Sequence, residues 1–545
     1  MSSGYQQALA LRDQGRYAEA EARLREVLAA EPLDRAAQMA FQTLLLLQAK
    51  PPSPANPAHA FALAQTMMGM RGPPVLQGAD EGARLQRAAE LLLAVLPDLP
   101  AETRPAAAAI LWRAGGYEAA ASLGSLTDLG RQAAAQGSGR ALLNQLARVE
   151  TDADRLEVLA QHRLWAAGLE RAAAARPVMR PARVAGRERL RLGFLSSDLR
   201  HHVVAFFVQP LFQYIDARFD LFVYSSYGGP ADVMQQWFTG RSAYRLLPED
   251  DHAAAQLIAD DDLDLLIELG GPTVNSRPGV MAFKPAPLQA SWLGYPHSLG
   301  LSAIDRYIGD PFMLPPRPEF LLEAPLTLPS CWITMAPAAF QPQPALDPVP
   351  PAERKGHVTF GTANDPYKYG PRALRTWARI VARVPGSRFM FVRPEVGAPA
   401  LRDSIARHFA EEGVTPDRLD FRPVRGAIRP LYAQIDIALD TFPLTGGTTT
   451  CEALWMGVPT VTLVGEAPYE RLGWSILCNA GLAELGATTV EAYVATAVGL
   501  ARDPPRLATL RAAMRERIAA HPLGQPLQFA AEFYELMAEA IAGRA

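Results

Sequence analysis

Cysteine is almost absent from this 545-residue chain: Cys331, Cys451 and Cys478 stand far apart, and no C-x-x-C pair occurs. That excludes a disulfide framework and a cysteine zinc site, so the three read as reduced thiols in or near cores. Net charge is scarce too. A formal charge of −3 gives no overall basic field to hold a nucleic-acid backbone. No run approaches the roughly 20 apolar residues needed to cross a bilayer. The start, MSSGYQQALALRDQGRY, has no basic segment followed by an apolar core. These absences predict a cytoplasmic protein with no nucleic-acid partner and no membrane insertion.

What is present is a globular composition, 49% hydrophobic and 20% charged, in a chain too long for one core. About three to four domain-sized units are expected. Residues 5–38 follow a helical period, with Gly15, Tyr17, Ala20, Leu24 and Pro32 at the positions of one tetratricopeptide repeat. Tyr17 and Ala20 would sit where two antiparallel helices cross, and Pro32 would end the second. RAGGYEAAASL at 113–123 is a weaker echo. One repeat cannot cover its own apolar face, so the Ala- and Leu-rich stretch to about 180 is expected to stack helices on it. PANPAHAFALAQTMMGMRGPP reads as a loop or short helices, because its prolines and glycines interrupt the helical period.

A basic, proline-containing linker at 175–188 precedes a complete change of pattern. LRLGFLSS, FDLFVYSS, LDLLIELGG and LQASWLGYP are short β-rich runs that alternate with helical stretches. A run as continuously apolar as LDLLIEL suits a strand buried on both faces, hence a parallel sheet with helical crossovers. The proline-rich segment 337–351 reads as an interdomain connector. Beyond it the alternation resumes with VTFGTAN, SRFMFVR, LDFRP, IDIALDT and VPTVTLVG. Two doubly wound domains of this kind leave a cleft at the carboxyl ends of their strands, where ligands bind.

The segment IDIALDTFPLTGGTTTCEALWMG is the richest in chemistry. A buried strand enters a loop of two glycines and three threonines, and a helix follows with Glu452 in its first turn. Backbone amides, hydroxyls and the helix dipole there suit a phosphate, and Glu452 is placed to accept from ribose hydroxyls. The loop lacks the Gly-Lys-Ser/Thr of a Walker motif. The acidic clusters DDDLD at 260–264 and EDDH at 249–252 read as solvated helix and loop ends, so no metal site is expected.

RLGFLSSDLRHH, KPAPLQASWLGYPHSLG, NDPYKYGP and LDTFPLTGGTTTCEALWMGVPTVTLVGE together resemble the O-linked N-acetylglucosamine transferase family that includes the SPINDLY-type proteins. The likeness spans about 189–520 in the family's order. It implies an α/β fold of the GT-B type, two facing Rossmann-like domains, preceded by an all-α repeat domain. The implied domains are 1–180 (repeat-like helices), 189–340 (acceptor half), 355–520 (nucleotide-sugar half) and a C-terminal helix in 521–545.

By the same resemblance Lys368 contacts the donor diphosphate, Thr448 and Thr449 match paired threonines at the phosphates, and Glu452 takes the place of a ribose-binding carboxylate. Asn364, Gly446 and Gly447 complete the expected nucleotide-sugar site. His202 matches an active-site histidine, with His201 and His297 as rivals for the base. The chain departs from the pattern at Gly447, where the animal enzymes have a histidine, at Asp264, which replaces another family histidine, and at Asp365, which takes the place of a glutamine near the nucleotide. Asp264, His297 and Asp365 are taken as active-site lining.

The implied activity is inverting transfer of GlcNAc or another hexose from a UDP donor to Ser/Thr hydroxyls of a protein bound through the repeats. Neither metal nor cofactor is required on this reading. The alternatives are a CMP-linked acidic sugar or an asparagine acceptor on the same fold, or a nucleotide-binding adaptor without turnover.

Overall fold

The computed structural model describes residues 3–14, 16–30, 40, 41, 44, 57–69, 79–181, 187–336, 346–426 and 428–543. Gly15 and Pro32 of the repeat, 182–186 of the linker and 337–345 of the connector lie outside the described residues. The chain divides into two compact units: Met1–Gly124 with Pro394–Ser404, and Ser125–Arg393 with Ile405–Ala545. The division falls within the 1–180 helical stretch.

In the first unit, helices Ser3–Asp13 and Tyr17–Ala30 pack through Ala8, Ala20, Leu24 and Val27, joined by Ala40 and Leu44. Ala20 is fully buried at this contact, where a larger side chain would hold the two helices apart. The stretch expected to be loop or short helices contains a 13-residue helix, Pro57–Gly69. Pro57 opens it, at a position whose N–H would have no intrahelical partner anyway. The echo at 113–123 is a helix–turn–helix: Arg104–Arg113 ends, Gly115 turns the chain at φ +80°, and Tyr117–Ser122 follows.

The second unit opens with helices Leu126–Ala135, Gly139–Leu146 and Asp152–Ala174. Capping boxes at Ser125/Asp128 and Thr151/Asp154 start the first and the third. Two sheets follow. The first holds β1 (Leu190–Leu195), β2 (Phe219–Ser225), β3 (Ala243–Leu246), β4 (Leu265–Glu268), β5 (Leu288–Ser291), β6 (Arg306–Gly309) and β7 (Ala324–Thr327), in the order β3-β2-β1-β4-β5-β6-β7.

The second sheet holds β8 (Thr359–Thr362), β9 (Arg388–Val392), β10 (Leu419–Arg422), β11 (Ile437–Leu439), β12 (Thr460–Leu463) and β13 (Gly486–Ala487), in the order β10-β9-β8-β11-β12-β13. Every pairing is parallel. Both are doubly wound sheets whose strand order reverses between the first strand and its neighbour, β1/β4 and β8/β11. Those two points are where such sheets bind ligands.

The C-terminal helix Pro526–Ile541 returns to the first sheet. Phe533 lies 5.0 Å from the Trp292 ring, and the Tyr534 hydroxyl donates to Leu211 O at 2.6 Å. Strands β3, β6, β7 and β13 escaped the sequence reading; all four lie at or next to sheet edges, and β13 is only two residues long. Among the described residues, no helix is long and apolar enough to cross a membrane.

Candidate functional site

The second sheet's switch point is organised by Asp440, the residue that follows β11 and that sequence reasoning passed over. Its Oδ1 accepts from Thr441 N (2.9 Å), Gly446 N (2.7 Å) and Asn364 Nδ2 (3.3 Å), and its Oδ2 from Thr462 Oγ1 (2.8 Å). One buried carboxylate thereby ties β8, β11, β12 and the glycine loop together. Gly446 is required by this closeness, since a Cβ there would stand 2.9 Å from Asp440 Oδ1. Burial pushes the Asp440 carboxyl up to about 6, against the pull of its hydrogen bonds and of Lys368. An acid at the end of a buried strand, just before a Gly-Thr loop, was the available signal.

Lys368 ends a short 3-10 turn, Pro366–Lys368, that follows β8, and its Nζ donates to Thr445 O at 2.8 Å. Burial holds its ammonium below the usual lysine range, while Asp440 and Asp365 pull it back up. Asn364, between β8 and that turn, accepts from Thr449 Oγ1 at 3.0 Å, and its own carbonyl accepts from the Tyr369 hydroxyl at 2.9 Å. Gly447 caps the helix Thr448–Trp455 without a side chain, and a Cβ built on it meets nothing within 4 Å. The helix therefore opens on a half-buried Gly-Thr-Thr edge beside Lys368. Asn364, Lys368, Gly446, Gly447, Thr448 and Thr449 are brought together here.

Two acid–arginine pairs belong to the same switch point. Arg429 Nε lies 3.4 Å from Glu452 Oε1, one turn into the helix, and burial raises the Glu452 carboxyl. Arg393 Nη2 lies 3.2 Å from Asp365 Oδ2, and Asp365 also caps the turn through Tyr367 N. Glu452 and Asp365 thus both lie at this switch point, each with a guanidinium that sequence reasoning did not assign.

At the first sheet's switch point His202 follows β1 and caps the helix Val203–Gln213. Its Nδ1 accepts from Val204 N at 3.3 Å and lies 3.8 Å from Asp198 Oδ2; the side chain is 36% exposed. A ring nitrogen that accepts carries no proton, so in this tautomer the proton is on Nε2. A base role requires the proton on Nδ1, facing Asp198. His201 stands beside it, with its N–H on Asp232 Oδ2 at 2.7 Å. Glu268, at the end of β4, was also missed. It is buried, its Oε1 accepts from Gly270 N and Gly271 N, and burial pushes it up to about 7.

Two expectations are corrected. Asp264 does not line the site: it precedes β4 at the amino end of the strand, where it binds Arg187 and accepts from Arg191 N at 2.8 Å. His297 is no rival base. It is 1% exposed, packed edge-on between the rings of His162 (4.7 Å) and Tyr469 (5.3 Å), and neither ring nitrogen has a hydrogen-bond partner. Burial holds it well below the usual histidine range, as a neutral core ring. Since His297 follows β5 and Tyr469 follows β12, their contact brings together loops from the carboxyl ends of the two sheets.

The acidic run is more engaged than its composition suggests. Asp261 meets Arg245 and the Tyr224 hydroxyl at 2.9 Å each, and Asp262 meets Arg187 at 2.8 Å. Among the described residues, no group of three His, Cys, Asp or Glu side chains is placed to hold a metal ion.

The glycosyl transferase family 41 profile matches residues 168–317 and 354–533. The Petunia hybrida protein named "Probable UDP-N-acetylglucosamine–peptide N-acetylglucosaminyltransferase SPINDLY" is 35% identical over 354 residues, 62% of this chain and 37% of that one. Its Arabidopsis thaliana namesake is 33% identical, over 62% of this chain and 38% of its own length. The chain thus spans well under half the length of these curated relatives. A lysine-to-methionine mutant of the Thermobaculum terrenum O-GlcNAc transferase superposes with a TM-score of 0.74 at 25% identity, covering 100% of this chain and 98% of that one. With over half of its length matched by the family profile, the chain belongs to glycosyl transferase family 41.

Proposed function

We propose that the chain is an inverting protein glycosyltransferase that moves a sugar, GlcNAc or another hexose, from a UDP donor to a Ser or Thr hydroxyl. The observation that carries this reading is the grouping of Lys368, Asn364 and the Gly446–Thr449 loop around buried Asp440 at a switch point. The names of the relatives, which are UDP-N-acetylglucosamine–peptide transferases, support the donor and acceptor classes.

The acceptor oxygen attacks the anomeric carbon as the bond from that carbon to the diphosphate breaks. The leaving diphosphate takes up charge at Lys368 and at the first turn of the helix Thr448–Trp455, which stabilise it most in the transition state. Glu452 takes the ribose hydroxyls. His202 receives the acceptor proton at Nε2, in the tautomer whose Nδ1–H faces Asp198 and is oriented by it. Lys368 supplies the positive charge, so no metal is required in this scheme. The repeat-like helices present an extended protein acceptor.

Thermal shift against UDP-, GDP- and CMP-sugars, followed by mass spectrometry of co-expressed proteins, tests it. Stabilisation by UDP-sugars and a hexose-type mass on Ser or Thr is expected. A shift with CMP-sugars alone overturns the donor assignment.

A further inference from the structure

The helix Asp152–Ala174 starts 16 residues before the family match begins at 168, yet it reaches into the second sheet's loops. Arg155 forms a two-pronged pair with Glu470, Nε to Oε2 and Nη2 to Oε1, both at 2.7 Å. The two side chains are only 13% and 5% exposed. Planar bidentate pairs of this kind fix orientation as well as distance.

Glu470 Oε2 also accepts from Glu466 N (3.0 Å) and Ala467 N (2.8 Å), so the carboxylate shapes the loop that follows β12. The next residue back, Tyr469, offers its carbonyl to both Thr445 N and Thr445 Oγ1, each at 3.0 Å. Thr445 O in turn receives Lys368 Nζ at 2.8 Å. An unbroken series of contacts therefore runs from the Arg155 guanidinium to the ammonium that faces the donor site.

We propose that Arg155 and Glu470 are positioning residues for the transferase. Through Tyr469 and Thr445 they set where Lys368 stands relative to the leaving diphosphate. The proposal rests on the glycosyltransferase reading above, and it gives the helix before the catalytic sheets a role inside the donor site. Preorganised charge loses much of its effect when displaced by as little as ~1 Å. Loss of the pair is therefore felt at Lys368 as well as in stability.

The test is a double-mutant cycle in the full chain, Arg155→Met, Lys368→Ala and both together. Steady-state transfer and UDP affinity are measured well below the melting temperature. Arg155→Met is expected to lower kcat by ~10-fold or more with the donor KM changed less than ~3-fold. The double variant should be no slower than Lys368→Ala alone, because the two act through one group. Arg155→Lys, which keeps the charge and loses the fork, should fall between wild type and Arg155→Met, and it replaces Arg155→Met in the cycle if that variant fails to fold.

Multiplying losses in the double variant, or a lowered melting temperature with unchanged kcat, overturns the proposal. A wild-type chain that binds UDP without transferring sugar refutes the transferase reading instead. In that case the cycle is read on UDP affinity: non-additive losses support the positioning role, and additive or absent ones overturn it.

Discussion

Lys368 and Thr445 meet across the second sheet's switch point, ammonium to backbone carbonyl at 2.8 Å. The lysine hangs from the β8 side and the carbonyl from the loop that leaves β11. The cation is thereby tied to the loop whose other end, Gly446–Thr449, begins the helix. One buried acid, Asp440, holds both sides of this arrangement. A phosphate placed at the helix start would find the lysine already in position.

Thr449→Val tests the loop itself. The substitution keeps the shape and removes the hydroxyl that donates to Asn364 at 3.0 Å. Thr449 is only half-buried, so folding should change little. Donor affinity is expected to fall by ~3- to 10-fold, the worth of roughly one hydrogen bond. Calorimetric titration with UDP measures it, and unchanged affinity would remove Thr449 from the site.

His202 and His297 should separate cleanly. His202→Ala is expected to slow transfer at least ~10-fold with UDP affinity preserved. His297→Leu replaces a buried ring whose nitrogens have no partners. It should leave kcat within about threefold and stability equal or higher, because an unpaired buried polar group is a liability. The reverse pattern in a kinetic comparison would restore His297 as the base.

Glu268 gives stability a pH dependence of known sign. Its carboxyl titrates at about 7 when folded, because burial disfavours the charge, against roughly 4.3 in an unfolded chain. Between those values only the folded chain holds the proton. The stabilising contribution is complete below the unfolded pKa and is lost as pH rises through about 7. Glu268→Gln does not titrate, so its stability relative to wild type should rise by on the order of 3 kcal/mol between pH 4.5 and 7.5. Urea midpoints of both proteins across that range measure the difference; a constant gap would contradict it.

Transfer should survive chelation, because Lys368 and helix-start amides are assigned to the diphosphate. Activity in EDTA equal to that in buffer is the expected result. Full loss, with recovery on adding Mn²⁺ or Mg²⁺, would contradict the assignment.

The strands and the Gly-Thr loop were legible because a parallel, doubly buried sheet needs continuous apolar runs and a tight strand-to-helix turn against a buried acid needs glycine; LDLLIEL and PLTGGTTT announce both. Asp440 and Glu268 were hidden for the same reason. Each looks like a single acid at the end of an apolar run, and only the fold reveals how many N–H groups converge on it. Asp264 misled because matching short motifs does not fix which residue beside an apolar run such as LDLLIEL stands at which end of the strand. His297 misled because a histidine in a loop motif has the same sequence signature whether it faces a substrate or packs between two rings. Arg155 was unreadable, since its partner Glu470 is 315 residues away.

Lys368→Ala tests the central claim most directly, through steady-state transfer from a UDP-sugar in a variant whose fold is verified by its melting curve. Losing one preorganised electrostatic contact on the leaving group should lower kcat by on the order of 10²- to 10³-fold, with a smaller change in donor affinity. Transfer within threefold of wild type would contradict the site and the account built on it.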